Sequence, residues 1–249
     1  MSNAIKNMDV YILCGGLGKR LKSITKNYPK PMVKIGQKPF LDIIIGYMAS
    51  LGFKRFVLGV GYKAETFKKY YRGSLVKDLK IEFCEEKTPL GTGGAVKKAK
   101  NLIRSSFFLV LNGDSFCKFE PSDFLKFHKN KKAIVSILLK KVPSGADYGK
   151  VKLNKRGLII DFNEKDSRAR NCFINSGVYV FSKEIFNFMP RQKKFSLERD
   201  FFPKLAGKNC FGYTKSGFFI DIGTPERYLK ANKYFLKKNL NWHNYCGRS

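Results

Sequence analysis

Three short runs in the first half of the chain, Val10–Cys14, Phe56–Val60 and Phe107–Leu111, carry no charged residue, and a fourth strand-like run, Ile81–Cys84, lies between the last two. Strands with one wet face alternate polar and apolar residues; strands covered on both faces need not. Stretches of helical length separate these runs. Phe40–Leu51 places Leu41, Ile44, Ile45 and Met48 on one face, and Ala64–Tyr71, Gly94–Leu102 and a segment holding Phe124–His128 follow. Such alternation predicts an α/β fold, a Rossmann-like three-layer domain with a mostly parallel, mixed sheet. The second half is less regular. Ala133–Leu139, Gly149–Leu153, Leu158–Phe162, Gly177–Phe181 and Phe218–Ile220 read as strands, some of them antiparallel, and Pro225 to about Leu240 reads as a helix. With no repeat and no Pro/Gly/Ser linker, one domain over residues 9–240 is expected, with residues 1–8 and 241–249 as flexible tails.

In sheets of this kind ligands sit outside the carboxyl ends of the strands. Gly15-Gly16 follows the first strand, Asn112-Gly113-Asp114 the fourth, and Asp221 a late one. These are the positions to search for chemistry.

Charge narrows the classes. Lys plus Arg is 49 against 19 acids, a formal +30. Nucleic acid would be the reflex reading, but the cations are scattered from Lys6 to Arg248, and the aromatics lie inside apolar runs such as Phe107–Leu111. No nucleic-acid motif accompanies them, so a positive field that draws small anionic substrates is the better account. The six cysteines stand singly, without C-x-x-C, which argues against zinc and a disulfide framework. No apolar run approaches ~18 residues and no signal peptide is evident. A cytoplasmic protein without a membrane partner is therefore expected.

Five segments carry the chemistry. Leu13-Cys14-Gly15-Gly16-Leu17-Gly18-Lys19-Arg20 puts glycines after a strand, where backbone N–H groups can approach a polyphosphate, and Arg20 adds a forked donor. The spacing is not G-x-G-x-x-G and no acidic ribose clamp follows, so a dinucleotide oxidoreductase is disfavoured. Pro29-Lys30-Pro31 fixes an extended segment that aims one ammonium. Pro89-Leu90-Gly91-Thr92-Gly93-Gly94, preceded by Glu85-Glu86, opens a helix and can meet a base edge through its backbone and the Thr92 hydroxyl, or serve only as a helix start. Asp114 and Asp221 each end an apolar strand, a way to present a hard-metal ligand, although either could be a turn or capping residue. Glu164-Lys165 by itself reads as a solvated pair in a charged loop.

Taken in order, the glycine loop, Pro29-Lys30-Pro31, Gly91-Thr92-Gly93-Gly94, the strand ending at Asp114, Glu164-Lys165, Asn175-Ser176-Gly177 and Asp221-Ile222-Gly223-Thr224-Pro225-Glu226 resemble the sugar-1-phosphate nucleotidyltransferases over residues 9–235. The resemblance implies a GT-A-like fold, with a nucleotide-binding part near 9–115 and a sugar-binding part near 116–225. It implies the reaction of a nucleoside triphosphate with a sugar 1-phosphate to a nucleotide-sugar and pyrophosphate, with Mg²⁺ on Asp114 and Asp221. Arg20, Lys30, Asp114 and Lys165 would be catalytic. Leu13, Gly15, Gly16, Gly18, Lys19, Arg20, Glu85, Pro89, Gly91, Thr92 and Gly113 would hold the nucleotide. Asn112, Gly149, Glu164, Lys165, Asn175 and Ser176 would hold the sugar phosphate. One departure is Lys19, where family members usually have threonine. Ser196–Pro203 together with the glycine-rich helix start looks most like the D-glycero-α-D-manno-heptose 1-phosphate guanylyltransferases, which use GTP to make a GDP-heptose for bacterial surface polysaccharides. An acid at Glu85 or Glu86 suits guanine, whose edge offers two donors. Mannose-1-phosphate guanylyltransferases and uridylyl- or thymidylyltransferases are the nearest alternatives, and a catalytically silent regulatory homologue the alternative of another class. The family's members commonly form dimers, which leaves a homodimer open.

Overall fold

Val10, Tyr11 and Ile12 have no exposed surface, nor have Phe56, Val57, Leu58 and Val60. Burial of each such side chain contributes roughly 1.5–3 kcal/mol, so these runs belong where both sheet faces are covered. The computed structural model describes residues 3–16, 18–25, 28–72, 79–144, 148–163 and 170–238, and divides into two compact units.

The first unit draws on Met1–Pro89, Leu111–Phe116 and Ile220–Ser249. Its strand Asp9–Leu13 pairs in parallel with Arg55–Val60, Asp9 opposite Arg55 and Leu13 opposite Gly59. Arg55–Val60 pairs in parallel with Lys80–Glu85. A side chain at Gly59 would run into the Tyr11 ring, which is why the strand carries glycine there. At the strand starts, Arg55 is paired with Asp9 and, at 3.0 Å, with Glu82. Helices Phe40–Ser50 and Ala64–Tyr71 are tied together where the Tyr70 and Tyr71 hydroxyls donate to the buried Asp42 carboxylate at 2.6 and 2.7 Å. Helix Pro225–Lys238 sets Phe235 edge-on to Phe40 and Phe116, and its opening Pro225 has no amide hydrogen to leave unsatisfied.

The second unit draws on Leu90–Val110 and Cys117–Phe219. Its backbone is the strand Arg170–Ser182, antiparallel to Val135–Ser144 and to Lys150–Leu153; the latter continues into a hairpin with Ile159–Asn163. Cys210–Tyr213 runs parallel to Val135–Ser144. The ladder shifts register between Asn175 and Tyr179, where Gly177 has φ +74°. Such a bulge bends a strand and re-aims its side chains, and here it falls on Asn175-Ser176-Gly177. The expected α/β fold with a mixed sheet is what forms.

Three expectations need correction. Lys30 does not lie in an extended segment: Lys30–Met32 is one 3-10 turn capped by Pro29, because the fixed φ of Pro31 suits a first helical turn. Asn175 and Ser176 do not precede a strand starting at Gly177 but lie inside a longer one. Cys210–Tyr213, a short run with a central glycine, is a strand that the apolar pattern does not announce.

His128, on helix Pro121–Asn130, is fully buried, with Nδ1 2.9 Å from Ser136 Oγ and Nε2 3.0 Å from Ser182 Oγ. Burial, helped by nearby Lys129, pulls its pKa down to about 4. The folded value lies below the unfolded one, so as pH falls the unfolded chain takes the proton first. His128 thus contributes stability that is complete above about pH 6.5 and is lost towards pH 4, on the order of 3 kcal/mol at most. His128→Gln should flatten this part of a plot of urea midpoint against pH; an unchanged slope would place the acid sensitivity elsewhere.

Candidate active site

The first strand ends at Leu13, and the Cys14 amide donates to the Gly59 carbonyl at 2.8 Å. The backbone then turns through Gly15 and Gly16. A Cβ on Gly15 would lie 2.6 Å from Glu86 Oε1, so glycine lets that carboxylate come up against the loop. Gly18 is left-handed, φ +59°, and a Cβ there would lie 3.0 Å from Lys30 Cβ. Its carbonyl accepts the Leu21 amide at 3.0 Å, closing the 3-10 turn Lys19–Leu21 that carries the exposed Arg20. Leu17 and the Lys19 side chain fall outside the described residues.

Three segments meet at Gly113. Its amide donates to the Leu13 carbonyl at 3.0 Å, and a side chain there would lie 2.7 Å from that oxygen, 3.1 Å from Cys14 Sγ and 3.2 Å from Pro31 Cγ. This packing sets the next residue, Asp114, against Lys30: Lys30 Nζ lies 2.6 Å from Asp114 Oδ2, with the lysine side chain 10% exposed and the aspartate 37%. Ser115 Oγ donates to the other carboxylate oxygen at 3.1 Å. The Ile222 amide donates to the Asp114 carbonyl at 3.0 Å, which brings Asp221 beside Asp114. Asp221 is buried; Oδ1 accepts the Gly223 amide at 2.6 Å, and Arg227 Nη1 sits 3.4 Å from both carboxylate oxygens. Leu13, Cys14, Gly16, Gly18, Arg20, Lys30, Pro31, Asp114 and Gly223 line a cleft of about 280 Å³. Asn112, the last residue of strand Phe107–Asn112 and two before Asp114, keeps its buried Oδ1 without a partner, an acceptor ready for a hydroxyl. Burial, and then the Asp114 charge, push the Cys14 thiol well above its ordinary range, so this cysteine is no nucleophile.

Asp114 and Asp221, on segments joined by the Ile222–Asp114 backbone bond, have the donor chemistry of a hard divalent cation, and in the free protein Lys30 and Arg227 lie against their carboxylates. Mg²⁺ takes one or two carboxylates and fills its shell with phosphate oxygens and water. Among the described residues no group of three acids, histidines or cysteines gathers as a protein-only metal cage would require.

In the second unit the glycine-rich helix start does something the sequence does not announce. Gly93 and Gly94 donate their amides to the Phe195 carbonyl at 3.0 and 3.2 Å, Phe195 donates to the Leu90 carbonyl at 2.9 Å, and side chains at Gly91, Gly93 or Gly94 would collide with residues 193–195. The Thr92 hydroxyl donates to Glu198 Oε2 at 2.7 Å and accepts the Leu197 amide at 2.8 Å, so its proton is committed to protein. Ser196 caps the following π-helical turn, Leu197–Phe201, and also donates to Glu198 Oε2 at 2.9 Å. On the far side of Glu198, Tyr179 donates to Oε1 at 3.3 Å and accepts Asn175 Nδ2 at 2.8 Å. Asn175 Oδ1 accepts the Gly177 amide at 2.9 Å, and the Asn175 amide reaches the Gly149 carbonyl at 3.2 Å. Asn175 and Gly149 are thus brought together, and Asn175 retains one N–H and a lone pair for a sugar. Ser176 is buried and donates to the Leu138 carbonyl at 2.7 Å, a structural use.

Glu85 pairs with Lys68 at 2.6 Å on the surface, whereas Glu86 is the acid against Gly15. Glu164 and Lys165 lie outside the described residues. Arg227, Glu198 and Tyr179 were not anticipated. The serine two residues before Glu198 is a legible capping signal; nothing local marks the other two.

The sequence profile of the nucleotidyl transferase family matches residues 10–238. D-glycero-α-D-manno-heptose 1-phosphate guanylyltransferase of Campylobacter jejuni subsp. jejuni serotype O:2 is 40% identical over 235 residues, covering 93% of this chain and 100% of that protein. The protein of that name from Aneurinibacillus thermoaerophilus is 37% identical, with 91% and 97% covered. The crystal structure of HddC from Yersinia pseudotuberculosis complexed with GMP-PN superimposes with a TM-score of 0.78 at 39% identity, covering 92% of this chain and 99% of that one.

Proposed function

The chain belongs to the nucleotidyl transferase family, and we propose that it joins GTP to D-glycero-α-D-manno-heptose 1-phosphate, giving GDP-heptose and pyrophosphate. The observation that carries the reaction is the cleft in which Arg20, Lys30 and Asp114 share a floor of glycine backbone. The relatives that match nearly end to end at 37–40% identity support the choice of heptose and of GTP.

An oxygen of the sugar phosphate attacks the α-phosphorus in line. The new P–O bond forms as the bond from the α-phosphorus to the β-phosphate bridge breaks, and pyrophosphate leaves with the displaced electron pair. No covalent enzyme intermediate is required, so the protein positions and neutralises. The Gly15–Gly18 backbone takes the triphosphate, and Arg20 holds the leaving phosphates by its fork. Lys30 lies against the α-phosphate, where it meets charge that grows as the incoming oxygen approaches. Asp114 and Asp221 would hold Mg²⁺, which bound there supplies charge neutralisation between the reacting phosphates. Glu86, against Gly15, suits the guanine N1–H and N2–H₂ donors. Asn112 and Asn175 are assigned to sugar hydroxyls by resemblance. Lys165 is assigned to the sugar phosphate by resemblance.

The test is pyrophosphate release with Mg²⁺ over a grid of four nucleoside triphosphates and the heptose, mannose, glucose and N-acetylglucosamine 1-phosphates. GTP with the heptose phosphate should give the highest kcat/KM, and EDTA should abolish it. Faster turnover of UTP than GTP would overturn the base assignment, and silence in every well the enzyme reading itself.

A further inference from the structure

Arg227 occupies a position where helices prefer an acid. Thr224 opens helix Pro225–Lys238: its Oγ1 accepts the Arg227 amide at 3.3 Å and its carbonyl accepts the Tyr228 amide at 2.9 Å. Arg227 is thus the third residue of the first turn, where a glutamate would complete the cap and suit the positive end of the helix. A cation there is unfavourable unless a group outside the helix holds it. Asp221 is such a group. Arg227 Nη1 lies 3.4 Å from both of its carboxylate oxygens, with the arginine side chain 18% exposed and the aspartate 8%. A Cβ on Gly223 would lie 2.6 Å from Asp221 Oδ1 and 3.5 Å from Arg227 Nη1, and Gly223 lines the cleft. The pair therefore stands directly behind the cleft wall.

Asp114 has the same arrangement, with Lys30 Nζ 2.6 Å from Oδ2. These four side chains, two carboxylates and two cations, carry no net charge among them. A divalent cation entering alone has to displace both partners and leaves the set two charges positive, in a place that is largely buried. A triphosphate supplies the negative charge that lets metal, lysine and arginine coexist. Lys30 already has a role in the proposed reaction; Arg227 has none. We propose that Arg227 is a positioning residue that acts through Asp221, an internal counter-ion that holds this carboxylate at the cleft and competes with a divalent cation for it. The competition rests on Asp221 as a metal ligand, as in the reaction proposed above.

The test is calorimetric titration of the full chain with Mn²⁺, without nucleotide, for the native protein, Arg227→Met, Arg227→Gln and Lys230→Met. Lys230 lies on the same helix in an exposed pair with Glu226, so its loss removes one positive charge away from the cleft. Glutamine keeps a donor for Asp221 and covers the case of a methionine variant that does not fold. Both neutral variants at 227 should bind Mn²⁺ about tenfold more tightly than the native chain and Lys230→Met, the lower end of what a charged hydrogen bond contributes. Adding Asp221→Asn to Arg227→Gln should cancel the gain. Without metal, Arg227→Met should melt below the native chain, because the Asp221 carboxylate loses Arg227 as counter-charge, and Mn²⁺ should close most of that gap. An arginine that only braces the helix would give the lower melting temperature but neither the tighter binding nor the rescue. The proposal is overturned by Mn²⁺ affinities at 227 within about twofold of native or weaker, by a gain that survives Asp221→Asn, and by an absence of Mn²⁺ binding in every chain. A native chain that binds Mn²⁺ but releases no pyrophosphate defeats the reaction instead, and the Mn²⁺ affinities still decide the role of Arg227.

Discussion

Asp114→Asn is expected to lower kcat by about 10³-fold or more, since a group that organises charge at a phosphoryl centre contributes several kcal/mol to the transition state. The fold should survive. Asp114 is 37% exposed but Lys30 only 10%, so asparagine leaves a largely buried ammonium with a neutral acceptor, and a lower melting temperature is expected beside the loss of rate. The backbone contacts that place it, Gly113 on Leu13 and Ile222 on Asp114, do not involve the carboxylate. Asparagine keeps the shape and one acceptor, so a loss of this size would report on charge. Pyrophosphate release at saturating substrates, with a melting curve as control, measures it; kcat within tenfold of the native value would remove Asp114 from the catalytic centre.

Lys30→Met is expected to cost about 10²–10³-fold in kcat/KM. Methionine preserves the stem that packs beside Gly18, so the loop and the 3-10 turn should hold their places. What disappears is the ammonium, which in the free protein is spent on Asp114 and in the proposed mechanism faces the α-phosphate. A loss confined to KM for the triphosphate, with kcat intact, would mean that Lys30 binds ground state and transition state alike. Single-turnover rates at saturating triphosphate separate the two cases.

What the sequence makes legible follows from what is local. Leu13, Asn112 and Asp221 end strands, and the change from apolar run to glycine or carboxylate marks that in the chain itself. Asp114 is read correctly as a neighbour of the glycine loop because parallel strands place their carboxyl ends together. The roles that depend on distant partners are not legible. The glycines at 91, 93 and 94 look made for a ligand, but their space is occupied by Phe195 and its neighbours, far along the chain. Thr92 has its hydroxyl proton on Glu198 for the same reason. Glu85 and Glu86 are interchangeable in a sequence. Only the end of the strand at Glu85 tells that one meets Lys68 while the other turns back to Gly15. Lys30 was expected in an extended segment because proline disfavours helix at the residue before it; a single 3-10 turn is short enough to escape that restriction.

The piecewise make-up of the first unit has a consequence for timing. Its residues come from three stretches, and the last begins at Ile220. A chain emerging from the ribosome as far as Phe219 already owns Gly15, Arg20, Lys30 and Asp114, but not the second aspartate or the Ile222 amide that fastens it to Asp114. That contact closes a long loop and is among the slowest kinds to form. On the proposed role of Asp221, the site is complete only once the chain has passed Ile222, and a chain cut before Ile220 should release no pyrophosphate.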